Sequence, residues 1–212
     1  IVGSVLQDID TQMVASVVED EMLFGLENFG VPHDQIEQRV NETLETVGIS
    51  DLRDREIATL SGGQKQKVAI AAILAMRPRV LVLDEPTAAL DPASSTLVFE
   101  TLREANRTLG ITIVVVEQKV ALLSEYCNRV LVLNHGEIAL QGEPHEVFAH
   151  TDELRTIGVD CPRVTRIFNS LEADGLASGT PCLNVDEAEH LISGIVDPAH
   201  AASDAQAPAG SP

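Results

Sequence analysis

The chain has 212 residues, 44% of them apolar, and a formal net charge of -19 from 33 acidic and 14 basic side chains. That length and apolar share allow one domain with a buried core and appendages, while the acidity sets the surface potential against phosphate backbones and anionic headgroups and so argues against direct nucleic-acid binding. Cys127, Cys161 and Cys182 form no CxxC pair and the six histidines are scattered, which gives neither a disulfide framework nor a zinc knuckle; the longest apolar stretch, Val68 to Met76, is far short of the roughly 20 residues that cross a bilayer.

In chain order, "IVGSVL" reads as the end of a strand leading into Gln7. Ile1 stands in mid-strand pattern, with no initiator methionine and no charged leader, so the chain is expected to begin inside a longer one. Residues 14–59 read as a helical block. Within it, "VASVVEDEMLFGLENFG" and "DQIEQRVNETLETVG" have helical spacing, the second with Ile36, Val40, Leu44 and Val47 on one face and Gly48 placed to end it. After Gly63, "QKQKVAIAAILAMRP" is a further helix that stops before Pro78.

"RVLVLDE" follows as an apolar run without alternation, the pattern of a parallel strand covered on both faces. Asp91 and Pro92 suit the N-cap and first position of a helix through "PASSTLVFETLREANRTLG". Then "ITIVVVEQ" reads as strand, "VALLSEYC" as helix and "RVLVLN" as strand, an alternation that defines a layered α/β fold. "NHGE" turns a short hairpin into "IALQG". Beyond Gly142 lies a small helical tail, "PHEVFAH", "PRVTRIFNSLEADG" and "VDEAEHLISGI", and residues 197–212, rich in Ala, Pro, Ser and Gly, are expected to be disordered. No internal repeat is visible.

Two stretches carry chemistry. Asp84 and Glu85 close a buried strand at the end where open parallel sheets place ligands. There an aspartate can orient the water shell of Mg²⁺, and a glutamate one residue on can take the proton of an attacking water. Ser61, Gly62 and Gly63, just ahead of a helix, offer backbone N–H groups, a hydroxyl and the positive end of a helix dipole, a combination suited to phosphate oxygens. Taken singly, the first reads rather as an ordinary acidic turn and the second as a flexible loop with a serine cap.

Together, "LSGGQ", a helix, an apolar strand ending in "DEPT" and a following "LDP" occur in that order between Leu60 and Pro92. This stretch resembles the ATP-binding subunit of ABC transporters, with "LSGGQ" as the signature motif, "VLVLDE" as the Walker B strand and "AALD" as the D-loop. The resemblance extends over about residues 1 to 195. "VGSVLQDIDTQMVASVVEDEMLFGLENFGV" and "IGVDCPRVTRIFNSLEADG" look like the ATPases of energy-coupling factor transporters, which take up vitamins or metal ions.

The resemblance implies an α/β fold: a partial P-loop NTPase domain with a parallel sheet core, a helical signature subdomain and a small C-terminal helical tail. The parts would be 1–13 (strand end and glutamine loop), 14–65 (helical subdomain facing the membrane partner), 66–143 (α/β core), 144–196 (helical extension) and 197–212 (tail). It implies ATP and Mg²⁺ as ligands. Asp84 and Gln7 would organise the metal and the water, Glu85 would be general base, and Gln118 would approach the γ-phosphate. Ser61, Gly62, Gly63 and Gln64 would complete the nucleotide site of a second subunit, with Asp91 linking the two sites. The implied partners are that second ABC ATPase, identical or not, a transmembrane energy-coupling subunit and a substrate-binding membrane subunit, on the cytoplasmic face of the membrane.

Two features depart from the family pattern. No GxxxxGK[ST] occurs, so the backbone cradle and lysine for the β- and γ-phosphates are missing; family chains carry that loop upstream of the position of Gln7. The 212 residues alone are therefore expected to bind ATP poorly. Position 118, where the family has a switch histidine, is glutamine. Its amide can hydrogen-bond a phosphate oxygen but cannot carry a positive charge or relay a proton, so the expectation is either slow hydrolysis or a tolerated substitution with nearby compensation. A catalytically idle partner in a heterodimer is the alternative. A DNA-associated ABC ATPase would want a basic surface and long coiled-coil insertions, and the chain has neither.

Overall fold

The structure is a computed structural model that describes residues 1–196; the tail expected to be disordered, 197–212, lies outside the described residues. The chain packs as two compact units, residues 1–118 and the residues from 119 on.

In the first unit, strands β1 (Val2–Val5), β2 (Val80–Asp84) and β3 (Thr112–Val116) form a parallel sheet in that order. Val5 stands opposite Leu83 and Leu83 opposite Val115, so the three strands end level with one another. Between β1 and β2 run α1 (Ile9–Gln12), α2 (Val18–Asn28), α3 (His33–Val47) and α4 (Gly62–Leu74), with single 3-10 turns at Ser50–Leu52 and Ile57–Thr59; α5 (Pro92–Leu109) joins β2 to β3. The core lies where Val5, Leu81 and Leu83 meet Val68, Ile70 and Leu74 of α4 and Val98 and Leu102 of α5, all buried. Close approach of α4 to β1 needs Gly3, because a Cβ there would run into Ile73.

The elements follow from their residues. Ile36, Val40, Leu44 and Val47 recur once per turn of α3 and are all buried, and α3 ends at Gly48 with φ +68°, a left-handed conformation that glycine adopts without strain. Asp91 caps α5, with Pro92 in its first turn. The helical block begins later than the spacing predicts. Val14 and Ala15 donate their N–H groups to the Glu21 carboxylate at 2.9 and 2.8 Å, and the Ser16 carbonyl accepts from the N–H of Ile57 at 2.8 Å. With those backbone groups satisfied outside a helix, α2 starts only at Val18.

A second correction concerns β2. Its apolar run does not mean cover on both faces: Leu81 and Leu83 face the helices, while Val80 and Val82 point the other way. Val2 stands in register with Val80 and Val114 with Val82, exposed by 65% and 46%, and Val116, opposite Asp84 on the same face, is exposed by 54%. Two apolar faces alternate along the strands, and the described residues cover one of them.

The second unit holds α6 (Val120–Tyr126), the antiparallel pair β4 (Val130–Asn134) and β5 (Glu137–Gly142), and helices α7 (Pro144–Ala149), α8 (Thr151–Thr156), α9 (Arg163–Ala173) and α10 (Val185–Val196). His135 and Gly136 make the two-residue hairpin turn with φ +50° and +82°, matching the right-handed twist of the strands they join. "RVLVLN" is a strand as expected, but among the described residues it pairs with β5 alone and extends no parallel sheet. Val130 and Val132 pack with Val147, Phe148 and Leu154, and Phe168, Cys182 and Ala188 form a separate small cluster.

Candidate functional site

The first group of predicted residues gathers at the carboxyl ends of the parallel strands. The β2–β3 ladder runs one step past Asp84, where the Glu85 N–H donates to the Val116 carbonyl at 2.8 Å. Glu85 itself has φ +45°, a left-handed conformation that is uncommon outside glycine and recurs at functional sites. Its half-buried carboxylate holds two amides. Gln7 Nε2, just past the end of β1, donates to Oε2 at 2.9 Å, and Gln118 Nε2, just past the end of β3, donates to Oε1 at 2.6 Å. Asp84 is exposed at the tip of β2 and, among the described residues, makes no hydrogen bond to these three.

Behind them lies a layer that the sequence reading missed. Thr87 is fully buried, and its hydroxyl donates to Glu117 Oε2 at 2.8 Å. Glu117 Oε1 accepts the Gln118 backbone N–H at 3.1 Å. The available signal was a carboxylate directly before Gln118 and a threonine in "DEPT", but they are 30 residues apart and only the β2–β3 register brings them together.

The second group is at the start of α4. Ser61 Oγ accepts the Gln64 N–H at 3.3 Å and the Ser61 N–H donates to Gln64 Oε1 at 3.0 Å, a reciprocal cap on the helix. Ser61 and Gly62 are exposed, and Gly63 and Gln64 are half-buried. The turn before α5 and the first turn of α5 lie against the glycines: a Cβ on Gly62 would come within 3.2 Å of Leu90 Cδ2, and one on Gly63 within 3.1 Å of Ser94 Cβ. Asp91 accepts the Ser94 hydroxyl at 2.6 Å and its N–H at 3.0 Å. The Ser94 hydroxyl first, and then its N–H, hold the Asp91 carboxyl below the ordinary carboxylate range.

The predicted residues thus form two clusters, Gln7, Glu85 and Gln118 with Asp84 beside them, and Ser61 to Gln64 with Asp91. A hollow of about 550 Å³ lies elsewhere, at the opposite ends of the strands among Glu42, Leu74, Arg77, Arg79 and Thr112, away from both. Among the described residues no group of three or more His, Cys, Asp or Glu stands together to hold a metal by itself. Mg²⁺ does not need one, since it keeps several waters and phosphate oxygens beside one or two protein oxygens. The exposed Asp84 carboxylate fits that partial role. So does the Gln7 amide oxygen, because Gln7 engages Glu85 through its nitrogen.

Comparison with known proteins agrees with this geometry. The ABC transporter family matches residues 2–88. The energy-coupling factor transporter ATP-binding protein EcfA1 of Clostridium perfringens is 42% identical over 185 residues, covering 87% of this chain and 66% of that protein. The protein of the same name from Caldanaerobacter subterraneus subsp. tengcongensis is 40% identical over 90% of this chain and 68% of its own length. Among solved structures, that of cbiO1 from Clostridium perfringens, described as part of the ABC transporter complex cbiONQ, aligns with a TM-score of 0.68 at 40% identity over 81% of this chain and 67% of that one.

The chain belongs to the ATP-binding proteins of ABC transporters, in the energy-coupling factor branch of that family. It spans about two thirds of the length of these relatives. Among the described residues no helix is long and apolar enough to cross a membrane.

Proposed function

We propose that this chain is the ATP-binding and ATP-hydrolysing part of an energy-coupling factor importer that drives uptake of a vitamin or metal ion. The observation that carries the reading is Glu85, held between the amides of Gln7 and Gln118 at the ends of three parallel strands. In this reading Glu85 is the base that takes the proton of the attacking water, and Gln7 orients that water. Gln118 reaches the γ-phosphate. Asp84 and Gln7 would hold Mg²⁺, which would supply positive charge against the phosphate oxygens. Ser61, Gly62, Gly63 and Gln64 serve a second subunit's nucleotide from the positive end of α4, and Asp91 orders the turn beside them.

The partners are a second ABC ATPase, a transmembrane energy-coupling subunit and a substrate-binding membrane subunit, with the chain peripheral on the cytoplasmic face. The 212 residues contain no phosphate loop. The reading assigns that loop to an upstream segment of the complete protein, which agrees with the longer relatives and with the uncovered valine face of the sheet. The test is ATP turnover by the complete assembled protein with and without Glu85→Gln. A loss of about 100-fold or more is expected for a general base, and unchanged turnover overturns the proposal.

A second reading has its own support. Both oxygens of Glu85 already accept amide hydrogens, and the residue at 118 cannot become a cation. That favours a catalytically weak subunit paired with a non-identical, active one. Turnover seen only when a different ATPase is added, and insensitive to Glu85→Gln in this chain, selects it.

A further inference from the structure

Four hydrogen bonds close a ring between the turn after β2 and the turn after β3. The Thr87 hydroxyl donates to Glu117, the Gln118 N–H donates to the same carboxylate, the Gln118 side chain donates to Glu85, and the Glu85 N–H donates to Val116. We propose that Glu117 is the positioning residue for Gln118, with Thr87 as its buried anchor, so that the Glu117 carboxylate and not the exposed glutamine decides where the amide points. The proposal rests on the nucleotide-site reading for its catalytic consequence, and on the ring alone for its structural one.

Three observations favour it. Gln118 is exposed and carries three rotatable bonds, so its amide needs support if it is to be held at one place. Glu117 supplies that support through the backbone N–H of residue 118, which fixes the origin of the side chain. Thr87 is fully buried, and a hydroxyl there is costly unless bonded, so it is committed to its carboxylate partner. There is also a reason of charge. A carboxylate next to a γ-phosphate repels it, and turning Glu117 onto a hydroxyl and an N–H draws its charge away from the position where Gln118 would work.

The ring can be read in the chain as it stands. In ¹⁵N spectra the side-chain amide of Gln118 is expected to shift and lose exchange protection in Thr87→Val, which removes the hydroxyl at constant shape, while the Gln7 amide stays in place. Thr87→Ser keeps the hydroxyl and should restore the parent signal. Should Thr87→Val fail to fold, Glu117→Gln reports instead: it retains one acceptor oxygen, so an intermediate shift is expected. A Gln118 amide untouched by these changes overturns the proposal.

In the complete assembly, Thr87→Val and Glu117→Ala should each lower kcat by about tenfold with KM for ATP within about twofold, as expected when an interaction made only in the transition state is lost. In a Gln118→Ala background Thr87→Val should cost nothing more. Additive losses would mean that Thr87 and Glu117 act on stability alone, and would overturn the positioning role. If the parent turnover resists Glu85→Gln, the ATPase reading fails by itself, and the amide spectra still decide the ring.

Discussion

Gln118 donates its side-chain amide to Glu85 at 2.6 Å, so the residue expected to take the place of the family's histidine is bonded to the carboxylate proposed as base. An amide can only share that hydrogen. An imidazole in its place can be charged near a phosphate, and it can pass a proton. Gln118→His in the complete assembly is therefore expected to raise ATP turnover by about tenfold, with Gln118→Ala lowering it. Steady-state turnover at saturating ATP is the measurement, and a rate unchanged by histidine sets aside the idea that position 118 limits hydrolysis.

The contact between α4 and the first turn of α5 makes Gly63 a sharp probe of the second cluster. A Cβ at this position would lie 3.1 Å from Ser94 Cβ and 3.2 Å from Ser94 Oγ. Gly63→Ala must therefore push Ser94, and with it the Asp91 cap of α5. Overpacking of this kind costs about 1–3 kcal/mol. In calorimetry Gly63→Ala should cost less in a Ser94→Gly background than in the parent, because the clash is with the Ser94 side chain. An equal cost in both backgrounds would show that the glycine is required for some other reason.

What was legible in the sequence was local. Gly48, Ser61, and Asp91 with Pro92 each mark a helix end through groups within a few residues, and all three ends are found where those residues stand. The strand Val80–Asp84 announced itself as an apolar run. Its surroundings did not, because an apolar residue on an open face and one on a covered face look the same in a list of letters. The late start of α2 depended on Glu21 reaching back to Val14 and Ala15, a tertiary competitor to helical hydrogen bonds. Glu117 escaped notice for a similar reason, since its partner Thr87 becomes a neighbour only through strand register. Gln7, Glu85 and Gln118 were each nameable from motifs, yet their meeting on one carboxylate is a property of the sheet.

The uncovered face of that sheet predicts a solution behaviour. Val2 lies in register with Val80 and Val114 with Val82, Val116 follows Val114 on the same face, and an apolar surface of this kind attracts dyes and other chains. The 212-residue chain is expected to bind anilinonaphthalene sulfonate and to self-associate as its concentration rises. Val114→Thr with Val116→Thr should reduce both and leave the unfolding temperature nearly unchanged, because neither side chain contributes to the buried core. Sedimentation velocity with dye fluorescence checks it, and equal association by the variant would place the sticky surface elsewhere.

Stability of the helical block should depend on acid through Arg53. Its guanidinium bridges Glu19 on α2 and Glu37 on α3, and Nη1 also donates to Asn41 at 2.7 Å. The hydrogen bond from Arg53, and then that of Asn41, hold the Glu37 carboxyl below its ordinary value of 4.5, while the bonds to Glu37 and then to Glu19 raise the arginine further out of reach of titration. A carboxyl whose folded value is depressed stabilises the fold fully above its unfolded value and loses that contribution as pH falls through the folded one. Arg53→Met should therefore lower stability only modestly near pH 7, because Glu37 is open to solvent and its charge is screened. Below about pH 4.5 the gap between parent and variant should shrink as Glu37 takes up its proton. Urea unfolding of both proteins at pH 7 and pH 3 measures it. A gap of the same size at both values would mean that Arg53 acts through the packing of its alkyl chain and not through its charge.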